Sequence, residues 1–107
     1  MRRFGQIGKL KPEKRDEYIK LHAEVWPEVL ATIKECNITN YTIYNFKLLC
    51  FACFEYHGDD YEADMRKMAN DEVTQRWWKH SKPCFEQFEV AGDEEYYIDM
   101  KEIFRLD

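Results

Sequence analysis

The stretch Leu48-Leu49-Cys50-Phe51-Ala52-Cys53-Phe54 is apolar without interruption, yet it is too short for a buried helix, so it reads as a strand. A strand in an antiparallel sheet with one wet face alternates apolar and polar residues, and this one does not. Its second face therefore needs a cover. Three covers are open: a second subunit stacked sheet to sheet, a bound ligand, or the chain's own Phe85–Phe88 segment folding underneath. We expect a symmetric dimer, with the ligand pocket on the same side.

The flanking patterns place this strand in a fold. Arg3 to Leu10 has extended character and carries Gly5 and Gly8, where another group can approach the backbone closely. Pro12 suits the first turn of a helix, and Tyr18, Leu21, His22, Val25, Val29 and Ile33 then recur at three- and four-residue steps on one stripe, to about Cys36. Pro27 lies inside that pattern and predicts a kink or restart just after His22. Ile38 to Tyr44, the short turn Asn45-Phe46-Lys47 and the apolar run to Tyr56 form a hairpin. A second helical pattern follows Gly58-Asp59-Asp60, with Tyr61, Met65 and Met68 on one face. It is interrupted at Asn70-Asp71 and resumes from Val73 to about His80. Tyr96 to Phe104 forms a last strand. The order β-α-β-β-α-β is the ferredoxin-like pattern, an α+β fold with an antiparallel sheet and its helices on one face.

A chain of 107 residues fits one domain, 1–107, and 45% hydrophobic and 16% aromatic residues supply a dense core. At this size only about two-thirds of the unfolded surface is buried, so a partner subunit would help. Sixteen basic against twenty-one acidic side chains give a formal charge of -5, which opposes binding to a nucleic-acid backbone. The sequence has neither an apolar run of about 20 residues nor the apolar core of a secretion signal in Met1-Arg2-Arg3-Phe4-Gly5-Gln6, so no membrane association and a cytoplasmic location are expected. Cys50 and Cys53 fall on opposite faces of one strand and cannot share a metal. Cys36 and Cys84 lack spaced partners, and His57 beside Asp59-Asp60 lacks a third ligand. Reduced structural thiols, no metal and no cofactor are expected.

Two blocks carry chemistry: Tyr18, His22 and Trp26-Pro27 at four-residue steps, and Gln75-Arg76-Trp77-Trp78-Lys79. The first offers a group that exchanges protons near neutral pH, the second flat rings that hold a small polar molecule. Each residue also has a plainer reading. His22 on an apolar stripe is what a structural histidine looks like, and Tyr41 on the hairpin can serve sheet packing. Trp77 and Trp78 diverge by about 100° on a helix, so one can be packing alone. Arg76 and Lys79 most simply solvate the surface.

The series Tyr18-(x3)-His22-(x3)-Trp26-Pro27-Glu28, then Asn40-Tyr41-Thr42-Ile43-Tyr44, then Gln75-Arg76-Trp77-Trp78-Lys79 resembles the L-rhamnose mutarotase family over nearly the whole chain. The resemblance implies a dimeric α+β barrel that exchanges the α and β anomers of a 6-deoxy-L-hexose without a cofactor. L-rhamnose is the first candidate substrate and L-fucose the second. It implies that His22 is the proton donor and acceptor and that Tyr18, Tyr41, Trp77 and Trp78 contact the sugar. Ala23-Glu24-Val25 stands where many members carry an Asn-Pro pair, and 81–94 departs from the family pattern. A non-catalytic sugar sensor on the same fold, with His22 only hydrogen-bonding, is the alternative. A small oxygenase on the same barrel is a third reading, from fold analogy alone.

Overall fold

A computed structural model of the chain describes residues 1–86 and 96–107. The elements are β1 (Arg2–Leu10), α1 (Arg15–Ala23), α2 (Pro27–Glu35), β2 (Ile38–Phe46), β3 (Leu49–Tyr56), α3 (Tyr61–Ala69), α4 (Glu72–Ser81), β4 (Phe85–Glu86) and β5 (Tyr97–Asp99). The sheet runs β2-β3-β1-β4, with β5 also on β1, and these pairings are antiparallel. This is the expected ferredoxin-like α+β arrangement, with each helical unit split in two.

The splits have local causes. At the first, Trp26 is extended (φ -60, ψ 133) before Pro27 at the helix start, so α2 restarts rather than kinks. Its first turn closes where Val29 and Leu30 donate to the Trp26 carbonyl at 3.0 and 3.2 Å. At the second, the Asp71 carboxylate accepts from the Thr74 backbone N–H at 2.9 Å and its hydroxyl at 2.8 Å, capping α4. Asp60 caps α3 the same way through Ala63.

Along β3 burial alternates although apolarity does not. Cys50, Ala52, Phe54 and Tyr56 are buried against the helices, whereas Leu49, Phe51 and Glu55 are half-buried and Cys53 is exposed on the outer face. Two clusters fill the space between sheet and helices. One joins Leu10, Tyr18, Cys50, Cys84 and Phe85; the other joins Ile38, Phe54 and Tyr56 with Ile33, Met65 and Met68. Phe85 thus belongs to the helix-side core and does not cover the outer face, and Phe88 lies outside the described residues.

A bulge in β2 sets which residues look inward. Thr39 pairs with Glu55 and Thr42 with Cys53, so Asn40 and Tyr41 together oppose Phe54. Asn40 takes the left-handed conformation this requires (φ 50) and donates to Glu55 Oε1 at 2.7 Å. The bulge reverses the strand's parity, which turns Tyr41 onto Phe54, with ring centroids 5.3 Å apart, and turns Ile43 toward the core cluster. The hairpin turn is Lys47-Leu48, one residue later than the sequence suggests, because the ladder continues to Phe46 and Leu49.

The last strand is shorter than expected. Its ladder covers Tyr97–Asp99, one further bond joins the Met100 N–H to the Gly5 carbonyl at 2.7 Å, and Ile103, Phe104 and Leu106 are 80–90% exposed. Their apolar spacing is real, but those side chains face away from this core.

Candidate active site

A cavity of about 570 Å³ opens between the sheet and the helices, within the range of roughly 300–1,000 Å³ typical of small-molecule sites. His22 of α1, Trp77 and Trp78 of α4 and Tyr41 of β2 all line it. The structure thus brings together four of the five residues singled out by sequence, and it puts them on the helix side. Helices supply the imidazole and both indoles, so this cavity lies on the helix side of the sheet, not on the outer face of β3 where a cover was expected.

His22 is held on three sides. Its Nδ1 lies 2.9 Å from the Tyr18 carbonyl, an atom that can only accept, so Nδ1 carries the hydrogen. Its ring packs on that of Tyr18 at 4.2 Å and meets Trp77 edge-on at 5.5 Å. Burial lowers its pKa from 6.5, and the bond to the Tyr18 carbonyl partly opposes this. At neutral pH the ring is therefore neutral, with Nε2 as the basic atom.

Trp77 is buried and packs edge-on against Trp26 at 5.3 Å, while it also walls the cavity. Packing and lining are both its task, and Trp78 is a second wall, its ring capped by the Lys82 ammonium at 4.1 Å. Tyr41 keeps 41% of its surface open, but its phenol end is enclosed by the groups around it, and this desolvation and then Tyr61 push it up to about 12, so it stays protonated. Tyr18 stands behind His22, 4% exposed, with its hydroxyl 2.8 Å from that of Tyr97. Lys34 and Met68 are among the other residues of the lining and were not singled out as site residues by sequence. Met68 shares the apolar face of its helix, so periodicity marked it; Lys34 had no such signal.

All four cysteines are free, and burial raises the pKa of Cys36, Cys50 and Cys84, which disfavours the thiolate at those three positions. No group of three metal-ligating side chains occurs among the described residues. Nor is any described helix long and apolar enough to cross a membrane.

An antiparallel sheet backed on one face by helices is the ferredoxin-like α+β class, and the imidazole among indole and phenol rings between the layers is its candidate small-molecule site. The sequence profile of the L-rhamnose mutarotase family matches residues 3–106. L-rhamnose mutarotases of Oceanobacillus iheyensis and Bacillus subtilis are 36% and 33% identical to it, each over all of both chains. This chain belongs to the L-rhamnose mutarotase family, whose members are anomer-interconverting isomerases. The crystal structure of an L-rhamnose mutarotase from Formosa agariphila superposes with a TM-score of 0.76 at 23% identity, covering all of both chains. Tetracenomycin F2 cyclase from Streptomyces glaucescens, at 0.68 and 12%, shares the fold.

Proposed function

We propose that this chain interconverts the α and β anomers of a 6-deoxy-L-hexose, L-rhamnose first and L-fucose next, by acid–base ring opening and closure. The observation that carries the reading is a neutral imidazole whose Nε2 is its one basic nitrogen, on the wall of a cavity lined with aromatic rings.

Ring opening needs the anomeric hydroxyl to lose a proton and the ring oxygen to gain one. His22 Nε2 takes the first proton. The imidazolium then returns it to the ring oxygen, the C1–C2 bond turns, and closure on the other carbonyl face reverses the roles. Because Nδ1 is committed to the Tyr18 carbonyl, every transfer uses Nε2, and the ring keeps one orientation throughout. The buried setting favours the neutral ring, which makes the imidazolium a ready donor once formed. Trp77 and Trp78 offer faces for the sugar's C–H surface and methyl group. The Tyr41 phenol, protonated at cellular pH, donates to a sugar oxygen. Tyr18 supports His22 from behind, with its ring and its carbonyl. No step calls for a metal or cofactor. The 107 residues act as one domain, in the cytoplasm, as a homodimer joined through the outer sheet face.

Saturation-transfer NMR on L-rhamnose and L-fucose tests the reading. The wild type is expected to accelerate exchange of L-rhamnose most. His22→Ala should lose about 10² to 10⁴ in rate, or roughly 3 to 5 kcal/mol of barrier. Sugar binding without exchange in the wild type would mark a sensor instead.

A further inference from the structure

We propose that Tyr97 is a positioning residue for proton transfer at His22, acting through Tyr18, a role that rests on the mutarotase reading above. The contacts run from the last strand to the imidazole. Tyr97 of β5 pairs across the ladder with Gly8 of β1. A Cβ at Gly8 would lie 2.8 Å from Phe85 Cε1 and 3.1 Å from Tyr97 Cε1, so both rings settle over bare backbone, in room that only glycine leaves. Tyr97 and Phe85 then meet edge-on at 5.0 Å, and Phe85 meets Tyr18 edge-on at 4.9 Å. From this niche the Tyr97 hydroxyl reaches that of Tyr18 at 2.8 Å, its one hydrogen-bond partner among the described residues.

Tyr18 in turn holds His22 twice, by its ring at 4.2 Å and by its carbonyl on Nδ1 at 2.9 Å. A shift of Tyr18 therefore reaches the imidazole directly. Burial keeps both phenols protonated, so one donates to the other, and removing the Tyr97 oxygen takes from the buried Tyr18 hydroxyl its partner among the described residues. The orphaned group must move or admit water, and either response loosens the support behind His22. A ring that only filled space would have no use for the oxygen. Phenylalanine at 97 would fill the niche as well.

Tyr97→Phe separates these roles, since it keeps the ring and removes the oxygen. On L-rhamnose, kcat is expected to fall about 5- to 20-fold, within the loss that small misplacements of a reacting group produce, with KM held within about twofold. Tyr18→Phe breaks the same link, so the double variant should have the kcat of Tyr18→Phe alone. Nitrogen-15 NMR of the imidazole gives a readout independent of turnover. The wild type should show His22 as the Nδ1–H tautomer, and Tyr97→Phe should shift it toward a mixture. A Tyr97→Phe enzyme with wild-type kcat, an unchanged His22 spectrum, or fully multiplicative losses in the double variant would each overturn the proposal. Absence of anomer exchange in the wild type would sink the mutarotase reading instead, and the imidazole spectrum would still decide the link to Tyr97.

Discussion

The two nitrogens of His22 have separate fates, and the pH dependence follows from that. Nδ1 is committed to the Tyr18 carbonyl, so protonation changes only Nε2. Burial disfavours the charged ring and lowers its pKa below 6.5, the Tyr18 bond opposing in part. The form that starts the reaction is the neutral one. As pH falls, kcat/KM is therefore expected to hold through 6.5 and to drop only at a lower value, where the buried ring finally protonates. A pH–rate profile checks the sign, and an acid limb above 6.5 would contradict the buried neutral ring. At this scale the sequence was informative about local neighbours. Tyr18 and His22 stand one helical turn apart, so their contact was legible. Tyr97 was not, because its bond joins the first helix to the last strand, and no local period encodes that meeting.

Elements decide whether those residues converge, and here small polar devices outweigh apolar pattern. Trp77 and Trp78 face the cavity because α4 begins where Asp71 caps it, receiving the Thr74 N–H and its buried hydroxyl. Asp71→Ala removes the cap and orphans that hydroxyl, for a cost of about 1–3 kcal/mol. With a shift of about 4–8 °C per kcal/mol in a domain near this size, the melting temperature should fall by several degrees, while Asp71→Asn, which keeps an acceptor, should fall less. Equal losses in both variants, measured by thermal unfolding, would rule out the cap as the cause. The carboxyl of Asp71 is held below its usual 3.8, first by the Thr74 backbone bond, so this contribution is complete above that value and fades as pH falls through the lower folded one. The interruption at Asn70-Asp71 and the restart at Pro27 were both readable, since Pro and Asp act on their own helix. The bulge at Asn40-Tyr41 was not: alternation assumes fixed parity, and the left-handed Asn40 reverses it. That is why Tyr41 stood evenly between sheet packing and the site until the structure put its ring in the cavity.

Among the described residues, the helices cover one face of the sheet and leave apolar side chains open on the other. Tyr44 and Phe46 are each 64% exposed there, beside the half-buried Ile7, Leu49, Phe51 and Ile98, with Ile103, Phe104 and Leu106 standing out beyond. Monomeric proteins seldom leave so continuous an apolar surface open, and a chain of this size gains most from burying it. The apolar run in β3 announced the need for a cover, but period-two patterning could not say which side the helices would take. A homodimer stacked on this outer face is expected to run at twice 13.1 kDa by light scattering at micromolar concentration. The pair Tyr44→Asp and Phe46→Asp places charge against charge across a two-fold interface, and should return the mass to 13.1 kDa and lower the melting temperature. The described walls of the cavity lie on the opposite side of the sheet, so the KM of the monomeric variant for L-rhamnose should stay close to that of the wild type. A wild type already monomeric at that concentration would discard the dimer. A collapse of KM on dissociation would instead show that the far face of the sheet shapes the sugar site.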